Sequence, residues 1–268
     1  MMQRLLIPLF LALSLTAQAA PRPDHIVVVI EENRGYTQIM DRHNRDSYIH
    51  QLARQGRLMT NSHGVTHPSQ PNYLALFSGS TQGIISNACP LDLGADNLAS
   101  SLIANGLSFA SYAESMPAAG DSTCMWGPYR RKHNPVANWQ QLSSVNLRFE
   151  DFPRDFSKLP AVSFVIPDQN NDMHDGSFEA ADEWLKKHIR PYVEWASKHN
   201  SLLILTWDED DGGADNRIVT ILAGPMVKAG TSDQRINHYN VLRTLLDMYG
   251  LPAIGASREA EAIQGVWN

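Results

Sequence analysis

Short apolar runs alternate with amphipathic stretches along this chain. Residues 25–30 read HIVVVI, a β-branched run too short for a helix, and predict a buried strand that stops at Glu31-Glu32-Asn33-Arg34-Gly35. Residues 161–166 predict a second buried strand, ending at Pro167-Asp168. Residues 201–207, SLLILTW, predict a third, ending in Asp208-Glu209-Asp210-Asp211-Gly212-Gly213, and residues 217–223 a fourth. Helical spacing covers residues 48–55, 71–78 with Pro71 in the first turn, 178–199, and 238–249, the last stopped by Gly250 and followed by Pro252.

Strands alternating with helices predict an α/β fold: a mostly parallel sheet with helices on both faces. Ligands bind such sheets beyond the carboxyl ends of the strands. Three of the apolar runs end there in acids, at Glu31-Glu32, at Asp168 and at Asp208–Asp211. Converging on one rim, these carboxylates would repel one another, and a bound cation is the simplest compensation.

The first twenty residues stand apart. One early cation, Arg4, precedes an apolar run to Leu15 and the small-x-small sequence Ala17-Gln18-Ala19, which reads as a secretory signal peptide over 1–20. A retained membrane anchor is the alternative, disfavoured by the shortness of the run. The remainder, 21–268, reads as a single domain in the periplasm or outside the cell, with no stable membrane anchor. With 22 basic and 28 acidic residues and no basic stripe, nothing suggests nucleic acid as a partner. The two cysteines, Cys89 and Cys124, can pair in an oxidising compartment; two buried free thiols are the alternative.

Several segments carry candidate chemistry. Neighbouring residues leaving a strand point to opposite sides, so one glutamate, Glu32, is expected to face the site together with Asn33. Ser69, in Thr66-His67-Pro68-Ser69-Gln70-Pro71-Asn72, lies at a helix start, where free N–H groups and the helix dipole favour a phosphate; simple capping of the helix is the bland alternative. Asp208 and Glu209 are the densest acids after a buried strand, and the run departs from the EF-hand order. Asp168, Asp172, His174 and Asp175 form a further polar cluster, in which His174 is a candidate metal ligand or general acid.

Taken together, the pieces HIVVVIEENRGY, HPSQPNYLALFSG, YRRKHNP, VSFVIPDQNNDMHDG, LLILTWDEDDGG and INHYNVLRTLLDMYGLP resemble, in order, the phosphoesterase family of bacterial acid phosphatases and phosphatidylcholine-type phospholipases C. That family belongs to the alkaline phosphatase superfamily. The resemblance implies a three-layer α/β/α sandwich, and a divalent cation (Ca, Mg, Mn or Zn) held by Glu32, Asn33, Ser69, Asp208 and Glu209. It implies Ser69 as nucleophile and points to His174 as general acid. Lys132, His133, His67 and Asn72 become candidates for contact with a small phosphorylated substrate. Asp168, Asp172 and His238 form a second metal or phosphate site, although Asp172 stands where two-metal relatives carry histidine. The implied activity is that of a phosphomonoesterase acting through a phosphoserine. A phosphodiesterase or phospholipase C is the alternative, and a non-catalytic metal- or phosphate-binding protein the alternative of another class. Sulfatase chemistry is disfavoured because Ser69-Gln-Pro-Asn72 departs from the formylglycine motif. Oligomeric state is not legible.

Overall fold

The computed structural model describes residues 20–42, 45–213 and 215–268. The signal-peptide reading therefore falls outside the described residues. The strands are β1 (His25–Glu31), β2 (Arg57–His63), β3 (Phe109–Ala113), β4 (Met125–Trp126), β5 (Tyr129–Arg130), β6 (Asn146–Arg148), β7 (Val162–Ile166), β8 (Ser201–Trp207), β9 (Arg217–Ala223), β10 (Gly230–Ser232) and β11 (Ile236–Asn237). The helices are α1 (Tyr36–Met40), α2 (Tyr48–Gln55), α3 (Ser69–Ser78), α4 (Leu98–Ala104), α5 (Phe178–His188), α6 (Arg190–Ala196) and α7 (His238–Met248).

Nine strands form one sheet in the order β10-β2-β9-β8-β1-β7-β3-β6, with β11 also on β2. β1 lies at the centre, parallel to β7 on one side and β8 on the other. Among the described strands of this sheet, β9 alone runs antiparallel, to β8 and to β2. Along β1 the side chains alternate between two apolar layers. Ile26, Val28 and Ile30 pack with residues of α3, α4 and α7, such as Phe77, Leu102 and Leu245. Val27 and Val29 pack with residues of α2, α5 and α6, such as Leu52, Leu185 and Tyr192. Burial on both faces explains why these strands read as continuous apolar runs. The expected α/β/α sandwich is therefore observed, and no described helix is long and apolar enough to cross a membrane.

Two helix expectations change. The stretch 178–199 is two helices, because Pro191 near the start of α6 has no N–H to continue the first. The helix expected over 71–78 begins at Ser69 and is buried along its whole length. It stops at Gly79, whose φ is 69°, and a Cβ there would meet the Ile254 carbonyl oxygen. β2 and β3 escaped the pattern. β2 carries the polar residues Thr60, Asn61 and Ser62 near a register irregularity, and β3 has only five residues.

The Cys89–Cys124 disulfide is formed, with the Cα atoms 5.9 Å apart. It joins the loop after α3 to the β4–β5 hairpin. Just beyond the hairpin, buried Arg131 donates to the carbonyls of Leu91, Ser122 and Ala137, fixing both segments beside the carboxyl end of the sheet.

Candidate active site

Because β1, β7 and β8 are adjacent and parallel, the residues after them emerge on one rim. Glu31 and Glu32 are both fully buried. Glu31 turns toward the charges of Asp172 and Glu114, and its carboxylate oxygens have no hydrogen-bond partner among the described residues. Burial, reinforced by those charges, pushes it well above the usual carboxylate range. Glu32 turns instead toward Ser69 and His133.

Ser69 is the first residue of α3, and Pro68 occupies the cap position. Its hydroxyl does not cap the helix. The Oγ lies 2.8 Å from Glu209 Oε1 and 3.2 Å from Glu32 Oε2, within reach as a donor to both carboxylates. The first N–H behind it, that of Gln70, donates to Asn87 Oδ1 at 3.1 Å. At the end of β1, Asn33 takes the left-handed conformation, φ 53°, which its short polar side chain tolerates. Its N–H then donates to Asp208 Oδ1 at 3.2 Å.

Two carboxylates, Glu32 and Glu209, thus meet at one hydroxyl, and the charge of a third, Asp208, acts on both of them. Asp208 is pushed well above its usual range by burial, then by the charges of Glu32 and Glu209. Glu32 is raised by burial, against the pull of His133. Glu209 is raised by burial, opposed by hydrogen bonds from Ser69 and His67. Asp208 Oδ2 and Glu32 Oε1 find no hydrogen-bond partner among the described residues. Crowded acids with orphaned oxygens fit a divalent cation, which supplies both the missing charge and the missing partner.

A histidine layer closes the other side. His133 is buried, with Nε2 3.1 Å from Glu32 Oε1 and Nδ1 3.2 Å from Asp172 Oδ2. Burial lowers its pKa to about 3, so it is neutral and has one N–H for two acidic neighbours. Asp172, raised to about 8 chiefly by burial, is protonated near neutral pH. These are charge contacts at close range: His133 Nε2, Glu32 Oε1 and Asp172 Oδ2 make no hydrogen bond among the described residues. His174 lies 3.1 Å from Lys132 Nζ through Nε2 and 2.7 Å from Asp175 Oδ1 through Nδ1. Glu32, His133 and His174 bring ligand atoms within 4.8 Å of one another, so this set is a candidate metal group in its own right.

Not every residue marked in the sequence joins this group. Asp168 accepts from Ser115 Oγ at 2.6 Å and from the N–H of Asn170 at 3.0 Å, which ties its carboxylate into its own loop. His238 is buried, and its Nε2–H donates to the Asp208 carbonyl at 2.6 Å. Its Nδ1 has no hydrogen-bond partner among the described residues, and Asp172 reaches the centre through His133. The Oδ1 of Asn72 accepts from Val65 and Thr66 and its Nδ2 donates to Thr66, so it shapes the loop before Ser69. His67 lies 2.5 Å from Glu209 Oε2 and orients that carboxylate. Sequence reasoning missed Tyr73, whose ring stacks on His133 with centroids 5.4 Å apart. Its one signal was its place four residues, about one helical turn, after Ser69.

The phosphoesterase family model matches residues 37–252. The phosphatidylinositol-3-phosphatase of Mycobacterium tuberculosis is 44% identical over 258 residues, covering 95% of this chain and 86% of that protein. The phosphate-repressible acid phosphatase of Penicillium chrysogenum is 31% identical over 231 residues, 78% of this chain, which spans only 56% of that longer protein. Among solved structures, a protein of the alkaline phosphatase superfamily from Vibrio parahaemolyticus matches 91% of this chain and 72% of its own, with a TM-score of 0.61 at 12% identity. The phosphonate monoester hydrolase of Agrobacterium radiobacter gives 0.60 at 12% identity, over 90% of this chain and 78% of its own. With a fold like that of those structures and a serine between converging carboxylates at its rim, this chain belongs to the phosphoesterase family and is a phosphoric-ester hydrolase.

Proposed function

We propose that this protein is an exported, metal-dependent phosphatase acting on small phosphomonoesters through a phosphoserine at Ser69. The observation that carries this reading is the direction of the Ser69 hydroxyl. It ignores the helix it begins and points between Glu209 and Glu32. A serine needed only for capping would bond its own backbone.

Glu32, Asn33, Ser69, Asp208 and Glu209 would hold the cation. When bound, a divalent cation would offset the carboxylate charges, polarise the phosphoryl oxygens and make the serine hydroxyl more acidic. The chain's own residues do the rest. Ser69 Oγ attacks phosphorus as its proton passes to Glu209 Oε1. The new Oγ–P bond forms as the bond to the alcohol oxygen breaks. His174, held at Nδ1 by Asp175, serves as the general acid and gives a proton to that oxygen. Water then attacks the phosphoserine and returns a proton to His174. The serine oxygen leaves, recovers its proton from Glu209, and inorganic phosphate departs. Lys132, beside His174, steadies the charge on the phosphoryl oxygens. His133, held neutral between Asp172 and Glu32, positions Glu32. All of these groups are read as parts of one domain, residues 21–268. Export is supported by the Cys89–Cys124 bond, which persists in oxidising compartments.

The test is turnover by metal-stripped protein of p-nitrophenyl phosphate and bis-p-nitrophenyl phosphate, before and after adding Ca, Mg, Mn or Zn. Monoester hydrolysis should return with cation and exceed diester hydrolysis. Full activity after verified stripping, or a preference for the diester, would reject the reading.

A further inference from the structure

Beside His174 lies a second feature, a cavity of about 430 Å³. One wall is the Cys89–Cys124 disulfide, and another is the hairpin of β4 and β5. Met125 and Arg130 are directly opposed across that hairpin, so both side chains fall on the same face, and both line the cavity. The floor reaches the reacting centre through residues already described. Lys132 and Gln169 each lie 3.1 Å from a ring nitrogen of His174, and Asn87 accepts the N–H next to Ser69. A phosphoryl group on Ser69 would therefore have its leaving alcohol at the mouth of this space, on the side where His174 protonates it.

The lining charges say what that alcohol carries. Two cations, Arg130 and Lys132, face one carboxylate, Asp175, which is already paired with His174. Lys132 is committed to the phosphoryl end. Arg130 is not. Its Nη1 donates to the carbonyls of Gly127 and Tyr129 at 2.6 and 2.8 Å, which fixes the guanidinium at the cavity wall. A fixed guanidinium in a cavity suits a carboxylate or phosphate. Met125, 63% exposed, adds an apolar contact at the same edge.

We propose that this cavity is the leaving-group subsite, that it takes alcohols bearing a second anionic group, and that Arg130 is the residue that selects them. This rests on the phosphatase reading above. The shared chemistry, a phosphomonoester with one further phosphate or carboxylate, occurs both in soluble phosphorylated acids and in phospholipid headgroups.

The test compares kcat/KM for 3-phosphoglycerate and glycerol 3-phosphate, which differ by a carboxylate in place of a hydroxymethyl group, with p-nitrophenyl phosphate as the reference. The wild type should prefer 3-phosphoglycerate by about tenfold, the size of one charge-assisted contact. Rising salt should erode the preference. Arg130→Gln should bring it to about one while p-nitrophenyl phosphate turnover holds, and Arg130→Lys should keep part of it. If Arg130→Gln misfolds, Arg130→Lys and the salt series still read the same ratio. Short-chain phosphatidylinositol 3-phosphate and its deacylated headgroup separate the sources. Faster turnover of the lipid assigns the subsite to lipid headgroups, and equal turnover assigns it to soluble esters; both sustain it. An unselective wild type, or an undiminished preference in Arg130→Gln, overturns the subsite. Loss of p-nitrophenyl phosphate turnover in the wild type would instead overturn the phosphatase reading itself.

Discussion

The loops after β7 and β8 begin alike and end differently. Each follows a buried parallel strand next to β1, and each carries an aspartate within its first two residues, Asp168 or Asp208. The Asp168 carboxylate is satisfied by Ser115 and its own loop. Asp208 keeps an orphaned oxygen and stands against Glu32 and Glu209. The one stabilises a loop; the other stores repulsion that a cation can relieve. An acid at a strand end is thus a functional candidate to the extent that its neighbours fail to satisfy it.

Substitutions can break this contrast. The largest effect is expected at Ser69, where Ser69→Ala should cost several orders of magnitude in kcat while leaving much of the metal binding intact, as read by equilibrium dialysis. Next, Asp208→Asn should lose both bound metal and turnover, yet melt higher than wild type when both are metal-free, because a buried repulsion has gone. Asp168→Asn should do the reverse, losing about 1–3 kcal/mol in denaturant unfolding and less than tenfold in turnover. Similar outcomes for the two would erase the distinction.

His238→Asn probes the support beneath Asp208. Removing the 2.6 Å bond to the Asp208 carbonyl should weaken metal binding by roughly 10–100-fold, the scale seen for groups that orient ligands. Titration calorimetry with the bare metal reads it.

A smaller effect belongs to pH. Asp172 has its folded pKa raised to about 8, and Glu31, Glu32, Asp208 and Glu209 are raised as well. The native state therefore holds protons that the unfolded chain has released. That contribution to stability is complete below the unfolded carboxylate values and is lost as pH rises through the folded ones. His133 and His238, lowered to about 3 and 4, act the other way, and theirs is lost as pH falls below the ordinary histidine value. Above about pH 6.5 only the carboxylates count. Metal-free protein should then lose stability toward pH 8, by up to about 1.4 kcal/mol per pH unit for each titrating group. Saturating cation should flatten the slope. Melting curves at pH 6.5, 7.2 and 8, with and without cation, measure it.

Much of this was legible in the sequence, for physical reasons. β1, β7, β8 and β9 are buried on both faces, so their apolar runs needed no context. Glu32, Ser69, Asp208 and Glu209 stand immediately after strands or at a helix start, where local chain direction fixes the rim they occupy. What was not legible is satisfaction by distant partners. Asp168 is held by Ser115, 53 residues away, and His238 by a carbonyl 30 residues away. The role of Asp172 depends on His133, which only the fold brings near it. β2 stayed hidden because it pairs on both sides while carrying polar residues.

The central claim is covalent: phosphorus passes through Ser69. The direct measurement is an acid quench during steady-state turnover of p-nitrophenyl phosphate with saturating cation, followed by proteolysis and peptide mass spectrometry. The account predicts a phosphopeptide that contains Ser69 and is absent from Ser69→Ala. Its companion stereochemical signature is transfer to an added alcohol with retention at phosphorus. An unmodified Ser69 peptide together with inversion at phosphorus would contradict the account and leave water as the attacking group.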